Sequence, residues 1–145
     1  MNAFLPYFAQ RFAQLDANNL HALGELYSAN VQFQDPLHTL HGLSALQTYC
    51  QTLYSRISQL RWQFDDYLHG KGDDSNGDGV IRWQMTFCHP QLRGGQPINV
   101  QGCSFLRWES GKVCQQRDYF DAGQLLYEHI PLLGRVIAYL KARLA

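Results

Sequence analysis

The feature that most constrains the fold is a change of period near residue 58. From there on, apolar and polar residues alternate in four long segments, which are residues 59–70, 79–90, 96–110 and 111–121. Such alternation is typical of strands with one buried face. The joints between them are short and rich in Gly, Asp, Asn or Ser, as in KGDDSNGD and ESGK. This pattern predicts an antiparallel meander, long enough to coil strongly.

Three helical segments precede this region, and the second of them, over residues 16–28, is short. Phe4, Phe8 and Phe12 recur at helical spacing in the first, and residues 43–57 carry a similar apolar stripe. Between the second and the third segment, residues 30–34 (NVQFQ) alternate as in a half-buried strand. The chain therefore places one strand between its N-terminal helices, ahead of the meander.

The last segment, residues 122–145, is helical again and has a broad apolar side. Because Pro131 lacks the amide hydrogen that a helix interior needs, we expect a break near His129 and a fresh helix after it. We expect the apolar side to pack against the sheet or against a neighbour. The order of elements predicts one α+β domain over residues 1–145, with helices on one face of a curved sheet.

Composition narrows the function classes. Apolar residues make up 46% of the chain, and twelve basic residues balance twelve acidic ones, so no nucleic-acid partner is expected. Arg11 interrupts the apolar N-terminal segment, which therefore reads neither as a signal peptide nor as a membrane span, and no membrane partner is expected. The four cysteines form no C-x-x-C pair, which favours reduced thiols and a cytoplasmic location.

One stretch imitates a calcium-binding loop. Asp74, Asn76, Asp78 and Gly79 match the D-x-N-x-D-G pattern, but Met85 stands at the twelfth position in place of the bidentate glutamate. Both flanks alternate like strands rather than helices. The stretch therefore predicts a hairpin turn, and no metal site is expected.

Asp35, pinned by Pro36 at the end of the first strand, is the first candidate for chemistry. A carboxylate at a strand end can stay in water, so one that enters an apolar pocket is a candidate proton acceptor. Asp118 has two interpretations. It is either a second working acid in the pocket or one half of a buried ion pair with Arg82.

Alternation also predicts which side chains share a face. Arg82 and Gln84 lie on one face of their strand, and Trp83, Met85 and Phe87 on the other. We expect the polar set to point inward with Asp118 and Asp35. The aromatic set would then form an exposed stripe, which predicts a homodimer through the sheet.

Two stretches carry a resemblance to a known family: ELYSANVQFQDP (25–36) and GKVCQQRDYFDAGQLL (111–126). With this element order, the chain resembles the nuclear-transport-factor-2-like superfamily, in particular its SnoaL-like, ketosteroid-isomerase-like and limonene-epoxide-hydrolase-like branches. The resemblance implies a cone-shaped α+β domain, in which a curved, mostly antiparallel sheet wraps around N-terminal helices and a C-terminal helix closes the cone.

The resemblance also implies site residues. In ketosteroid-isomerase-like proteins the acid of such a DP pair moves a proton beside a carbonyl group, which corresponds to Asp35. In limonene-epoxide-hydrolase-like proteins an acid on the last strand positions a water and an arginine acts on the epoxide, which correspond to Asp118 and Arg82. The chain departs from the epoxide-hydrolase pattern at Phe33, which replaces a tyrosine, and at Gln84, which replaces an acid. It departs from the isomerase pattern on the first helix, where Arg11 and Phe12 stand in place of a tyrosine, and on a later strand, where Cys103 and Ser104 stand in place of an acid.

The predicted catalytic residues are thus Asp35, Asp118 and Arg82, with no cofactor. The predicted ligand-binding residues are Phe33, His38, Gln84, Cys103, Phe120 and, if the last helix acts as a lid, Tyr127. The hypothesis is a small enzyme that transfers protons on a hydrophobic small molecule, as an isomerase, cyclase or epoxide hydrolase does. The alternative is a ligand-binding or dimeric accessory domain without catalysis.

Overall fold

A computed structural model describes residues 3–125 and 131–145. Its helices and strands follow one another as α1 (Phe4–Ala13), α2 (Leu23–Leu26), β1 (Tyr27–Gln34), β2 (Thr39–His41), α3 (Leu43–Arg56), β3 (Ser58–Gly72), β4 (Gly77–Cys88), β5 (Ile98–Glu109), β6 (Lys112–Phe120), α4 (Ala122–Leu125) and α5 (Pro131–Leu144). The six strands form one curved, unclosed sheet in the order β2-β1-β6-β5-β4-β3. The predicted α+β cone is confirmed.

The sheet is antiparallel at every pairing except one, where β1 runs parallel to β6. The short strand β2 was not predicted. It exists because the chain turns at Asp35 and Pro36 and returns along β1, pairing Gln34 with Thr39. This turn determines where the first candidate acid lies.

The core lies between the helices and the concave face of the sheet. On α1, the side chains of Phe4, Leu5 and Phe8 are buried. The ring of Phe4 stacks on Trp108 of β5 with centroids 4.2 Å apart. The Trp108 indole nitrogen donates to the carbonyl oxygen of Asp73 at 2.8 Å, so the large ring is buried with its polar atom satisfied.

The stretch that imitates a calcium loop is the β3–β4 hairpin, as predicted. Its aspartates accept hydrogen bonds from backbone amides. Asp73 Oδ1 binds Ser75 N at 2.8 Å, and Asp78 Oδ1 binds Lys71 N at 2.8 Å. Asp74 Oδ1 reaches the start of α1, where it accepts from Ala3 N at 2.7 Å.

The predicted facing of β4 is wrong. Trp83 and Phe87 are 5% and 3% exposed in the core, whereas Arg82 lies on the outer face in an exposed ion pair with Asp66. Gln84 also faces outward and donates to Asp65 Oδ2 at 3.1 Å. Burying the large rings under the helices removes far more apolar surface from water than burying the polar set would, and it leaves the charges solvated.

The described part of the C-terminal segment contains two helices, α4 and α5. α5 begins at Pro131, a favoured first helical position, while the break predicted near His129 lies outside the described residues. The apolar side of α5 is exposed rather than packed on the sheet; Val136 and Leu140, for example, are 47% and 52% exposed. Within residues 3–125 and 131–145, no helix combines the length and apolar character that a bilayer crossing requires.

Candidate functional site

A cavity of about 340 Å³ lies between α3 and the concave face of the sheet. Its wall is mainly aromatic and aliphatic, with contributions from β1, α3, β4 and β6. The large rings of the wall include Phe33, Tyr49, Trp62, Trp83, Phe87 and Phe120. Two carboxylates, Asp35 and Asp118, interrupt this apolar surface. The size suits a small organic molecule.

Asp118 is held by a network on the inner face of β5 and β6. Its Oδ1 accepts hydrogen bonds from Ser104 Oγ at 2.6 Å and from Gln116 Nε2 at 2.8 Å. Tyr27 donates its hydroxyl proton to Gln116 Oε1 at 2.7 Å, and Trp83 Nε1 donates to Ser104 Oγ at 2.9 Å. Among the described residues, none donates to Asp118 Oδ2, so one oxygen is fixed and the other is available to the cavity.

Burial raises the pKa of Asp118 from its ordinary value near 3.8 to about 6. Removal from water disfavours the charged form, and the negative charge of Asp35 acts in the same direction. The hydrogen bonds from Ser104 and Gln116 favour the charged form and lower the pKa, but they do not cancel the effect of burial. The carboxyl group therefore changes protonation state close to neutral pH.

Asp35 is more completely bonded. Its Oδ1 accepts from the backbone nitrogens of Leu37 and His38 at 2.8 and 2.7 Å, which closes the turn after β1. Its Oδ2 accepts from the Tyr49 hydroxyl at 3.1 Å. His38 Nδ1 lies 3.3 Å from Oδ1. The carboxylate, only 5% exposed, thus organises the β1–β2 turn as well as lining the cavity.

Two other groups of the wall keep their protons. Burial and the neighbouring Asp35 raise the pKa of the Tyr49 hydroxyl far above its ordinary value, so Tyr49 remains a donor. Burial, with the charge of Asp118, raises the pKa of the Cys50 thiol to about 12. A thiol that stays protonated at neutral pH is a poor nucleophile.

Trp62 adds a donor without a partner. Its indole nitrogen is buried and finds no acceptor among the described residues, and its ring lines the cavity in edge contact with Trp83. A buried donor left unpaired is costly, and the nitrogen itself is not open to the cavity.

The cavity brings together some of the predicted residues. Asp35, Asp118, Phe33, His38 and Phe120 all line it. Three others do not: Arg82 and Gln84 lie on the outer face, and Cys103 points away from the cavity next to the buried Ser104. The structure therefore gives no ion pair between Arg82 and Asp118. Tyr127 lies outside the described residues.

Sequence reasoning missed several polar residues of the site. Gln116 could have been found, because it lies two residues before Asp118 and must share its face. Tyr49, Trp62 and Ser104 had no comparable signal. Tyr49 and Trp62 reach the cavity, and Ser104 reaches Asp118, only because α3 and strands distant in sequence pack together.

Comparison with known proteins agrees with this architecture. The family model described as SnoaL-like domain matches residues 8–116. A protein with a ketosteroid-isomerase-like fold from Catenulispora acidiphila, solved with trimethylamine, has a TM-score of 0.69 at 16% identity and covers 88% of this chain and 92% of its own. A nuclear-transport-factor-2-like protein of unknown function from Burkholderia pseudomallei has a TM-score of 0.69 at 13% identity and covers 88% of this chain and 95% of its own. TsrD from Streptomyces laurentii has a TM-score of 0.70 at 17% identity and covers 86% of this chain and 93% of its own. No curated protein matches by sequence. At these identities the likeness concerns the fold.

Proposed function

Because this chain belongs to the SnoaL-like domain family, we propose that it is a small enzyme that transfers a proton on a hydrophobic small molecule held in the cavity. The main support for this proposal is the Asp118 carboxyl group, whose pKa is raised to about 6 and one of whose oxygens is fixed by Ser104 and Gln116. A carboxyl group whose pKa is near the working pH is largely ionised, so it can accept a proton, and it is basic enough to hold that proton during the reaction.

Asp118 is a better proton acceptor than Asp35, which the sequence favoured. The oxygens of Asp35 already accept three hydrogen bonds, two of them from the turn that its side chain closes. Asp118 keeps one oxygen without a donor among the described residues. We assign proton transfer to Asp118 and, to Asp35, the positioning of Tyr49 and the negative charge that raises the pKa of Asp118.

The proposed step needs no cofactor. The Asp118 carboxylate takes a proton from a carbon beside a carbonyl group, the electron pair moves toward the carbonyl oxygen, and the neutral acid later returns the proton. Return to a different carbon would be isomerisation, and attack of the carbanion on a second carbonyl within the molecule would be cyclisation.

The test is turnover of ketosteroids, epoxides and polyketide-like esters by the intact protein and by Asp118→Asn. Asparagine keeps the acceptor oxygen for Ser104 and Gln116 but cannot accept the proton. We expect turnover to fall by about 100-fold or more, with ligand affinity nearly unchanged. In the intact protein, kcat/KM should rise with pH through a midpoint near 6, because the base must be ionised. Wild-type turnover in Asp118→Asn would exclude Asp118 as the base.

The second candidate is ligand binding without catalysis. Its support is that Phe33, Gln84 and Cys103 replace polar family residues, and that two carboxylates in an aromatic cavity also suit an organic cation. The Catenulispora protein was solved with trimethylamine. If trimethylamine binds to the intact protein and none of the three substrate classes is turned over, this second candidate is favoured.

The homodimer also stays a prediction, on a different basis. The aromatic stripe of β4 faces inward, but Phe105 and Tyr119 on the outer face are 51% and 49% exposed, with ring centroids 5.7 Å apart. Phe105 lines a groove of about 500 Å³ to which Gln32 and Arg117 also contribute. A second copy that covers this face would bury both rings.

A further inference from the structure

The helix α5 has an apolar side that its own chain does not cover. Its members are exposed by between 39% and 88% of their surface: Leu132, Leu133, Val136, Tyr139, Leu140 and Leu144. We call these six residues the α5 apolar face. On a helix with 3.6 residues per turn they fall within one half of the circumference, while Gly134, Ala138 and Ala142 follow the opposite side.

This face needs a partner. A 14-residue helix is marginal in water by its own propensity, and most helical stability comes from packing an apolar side. A cluster of six exposed apolar side chains on one helix side is more than the scattered exposure that ordinary surfaces show. The exposure of these six side chains therefore indicates an interaction surface.

The charges of α5 indicate the kind of partner. Three of the twelve Lys and Arg residues, Arg135, Lys141 and Arg143, lie on this helix, whereas none of the twelve Asp and Glu residues does. Packing against α5 of a second copy would bring these like charges together. A surface with negative charge on the outside and an apolar layer beneath it would bind both the basic residues and the apolar side of the helix.

We propose that α5 binds the surface of a membrane that contains anionic lipids. With a rise of 1.5 Å per residue, the helix is about 20 Å long, too short to cross a bilayer, and it would lie in the plane of the interface. The α5 apolar face would enter the headgroup region. Arg143 falls within the span of that face, where it donates to the Tyr139 hydroxyl at 3.3 Å, and its long side chain can extend to the headgroups. Arg135 and Lys141 flank the face on its two sides. This partner differs from the expectation based on the N-terminal segment, which was that no membrane is involved.

The location of α5 gives the proposal a consequence for the cavity. Leu125, the last residue of α4, lines the cavity, and α5 starts six residues later, within about 20 Å even for an extended chain. A bound helix would thus hold the cavity near the bilayer surface, where lipid-soluble substrates are concentrated. This consequence rests on the proposed function, whereas the membrane binding does not.

The experiment is co-sedimentation of the full chain with vesicles of phosphatidylcholine alone or mixed with phosphatidylglycerol. We expect binding to the mixed vesicles only, weakened by salt. Leu140→Glu places a charge in the α5 apolar face and should lower the partition coefficient by about ten-fold or more. Ala138→Glu introduces the same charge on the opposite side and serves as the matched control, with a loss of less than about three-fold. Circular dichroism would show that both variants fold.

Three results would overturn the proposal. The first is no sedimentation with mixed vesicles at low salt, and the second is an equal loss in Leu140→Glu and Ala138→Glu. The third is a dimer of the intact chain that Leu140→Glu converts to a monomer, because a second copy would then cover the face. Turnover of a detergent-dispersed substrate should be the same in Leu140→Glu and wild type, so that loss of vesicle binding is distinguished from failure of the enzymatic proposal.

Discussion

At the scale of single residues, Asp118 is governed by a chain of hydrogen bonds that begins at Tyr27. The Tyr27 hydroxyl donates to Gln116 Oε1, which turns the amide nitrogen of Gln116 toward Asp118 Oδ1. Burial raises the pKa of Tyr27 well above its ordinary value, so this hydroxyl keeps its proton. The network fixes the carboxyl group while burial keeps its pKa high.

The raised pKa predicts a pH-dependent contribution to stability. The folded-state pKa of Asp118, about 6, lies above the ordinary value of 3.8, so the folded state binds the proton more tightly than the unfolded state. The associated stability is fully present below pH 4 and is lost as pH rises toward 6. Relative to wild type, Asp118→Asn should gain about 3 kcal/mol in free energy of unfolding between pH 4 and pH 8, as an upper bound.

Urea denaturation of both proteins at the two pH values measures this difference. Asp121→Asn is the matched control, since the exposed Asp121 accepts from Gly123 N at the start of α4 and has no role in the cavity. Equal pH dependence in wild type and Asp118→Asn would show that the carboxyl group titrates normally.

At the scale of secondary structure elements, the β3–β4 hairpin caps α1. Asp74 Oδ1 accepts hydrogen bonds from Ala3 N at 2.7 Å and Phe4 N at 3.1 Å, which satisfies amides that a helix start leaves unpaired. The carboxylate also lies at the positive end of the helix dipole. A turn that resembles a calcium loop in sequence thus links the first helix to the sheet.

Removing this cap should destabilise the domain. We expect Asp74→Ala to lower the free energy of unfolding by about 1 kcal/mol, as loss of an N-terminal cap does. Asp66→Ala, on the same hairpin, removes only an exposed ion pair with Arg82 and should cost less than about 0.5 kcal/mol. Thermal and urea unfolding of both variants give the comparison, and equal effects would mean that Asp74 contributes no specific cap.

At the scale of the whole molecule, the outer face of the sheet is the surface on which a dimer would form. Leu68, Val80, Phe105 and Arg117 are paired in register across β3, β4, β5 and β6, so they form one row. Leu68 and Phe105 are 63% and 51% exposed. The guanidinium of Arg117 lies 5.0 Å from the Tyr119 ring centre, and its Nε is buried with no acceptor among the described residues.

Light scattering tests whether this row of side chains forms a dimer interface. We expect the intact chain, 16.7 kDa, to run at twice that mass, and Phe105→Lys to shift it to the monomer by placing a charge in the interface. Tyr7→Lys, at a similarly exposed aromatic residue on α1, should leave the dimer intact. A monomeric wild type at micromolar concentration would exclude this dimer.

The elements were predictable because they depend on local patterns. The period of the apolar residues and the positions of Gly and Pro predict the four long strands, both long N-terminal helices and the hairpin turns. In one of these turns, Ser110 and Gly111 both have positive φ, as a two-residue hairpin turn of this kind requires. The short strand β2 was missed, since three residues carry no usable period and depend on the turn that Asp35 closes.

The candidate site was predictable only in part. Alternation correctly separated Arg82 from Trp83, but it assigned the wrong set of β4 to the inside. A period-two pattern does not show which of the two faces of a strand is buried. That choice depends on which face the helices cover. The polar set was expected inside because chemistry was sought there, whereas burial of large rings decided the outcome.

Sequence alone determined the α+β order, the family and the two acids that line the cavity, because these follow from local periodicity and from residue identity. Tertiary structure alone decided that Asp118, rather than Asp35, keeps an oxygen to which none of the described residues donates, that Tyr49 and Trp62 join the wall, and that α5 is exposed. Those facts depend on how distant segments pack and on which groups lose water, and packing is a property of the whole chain.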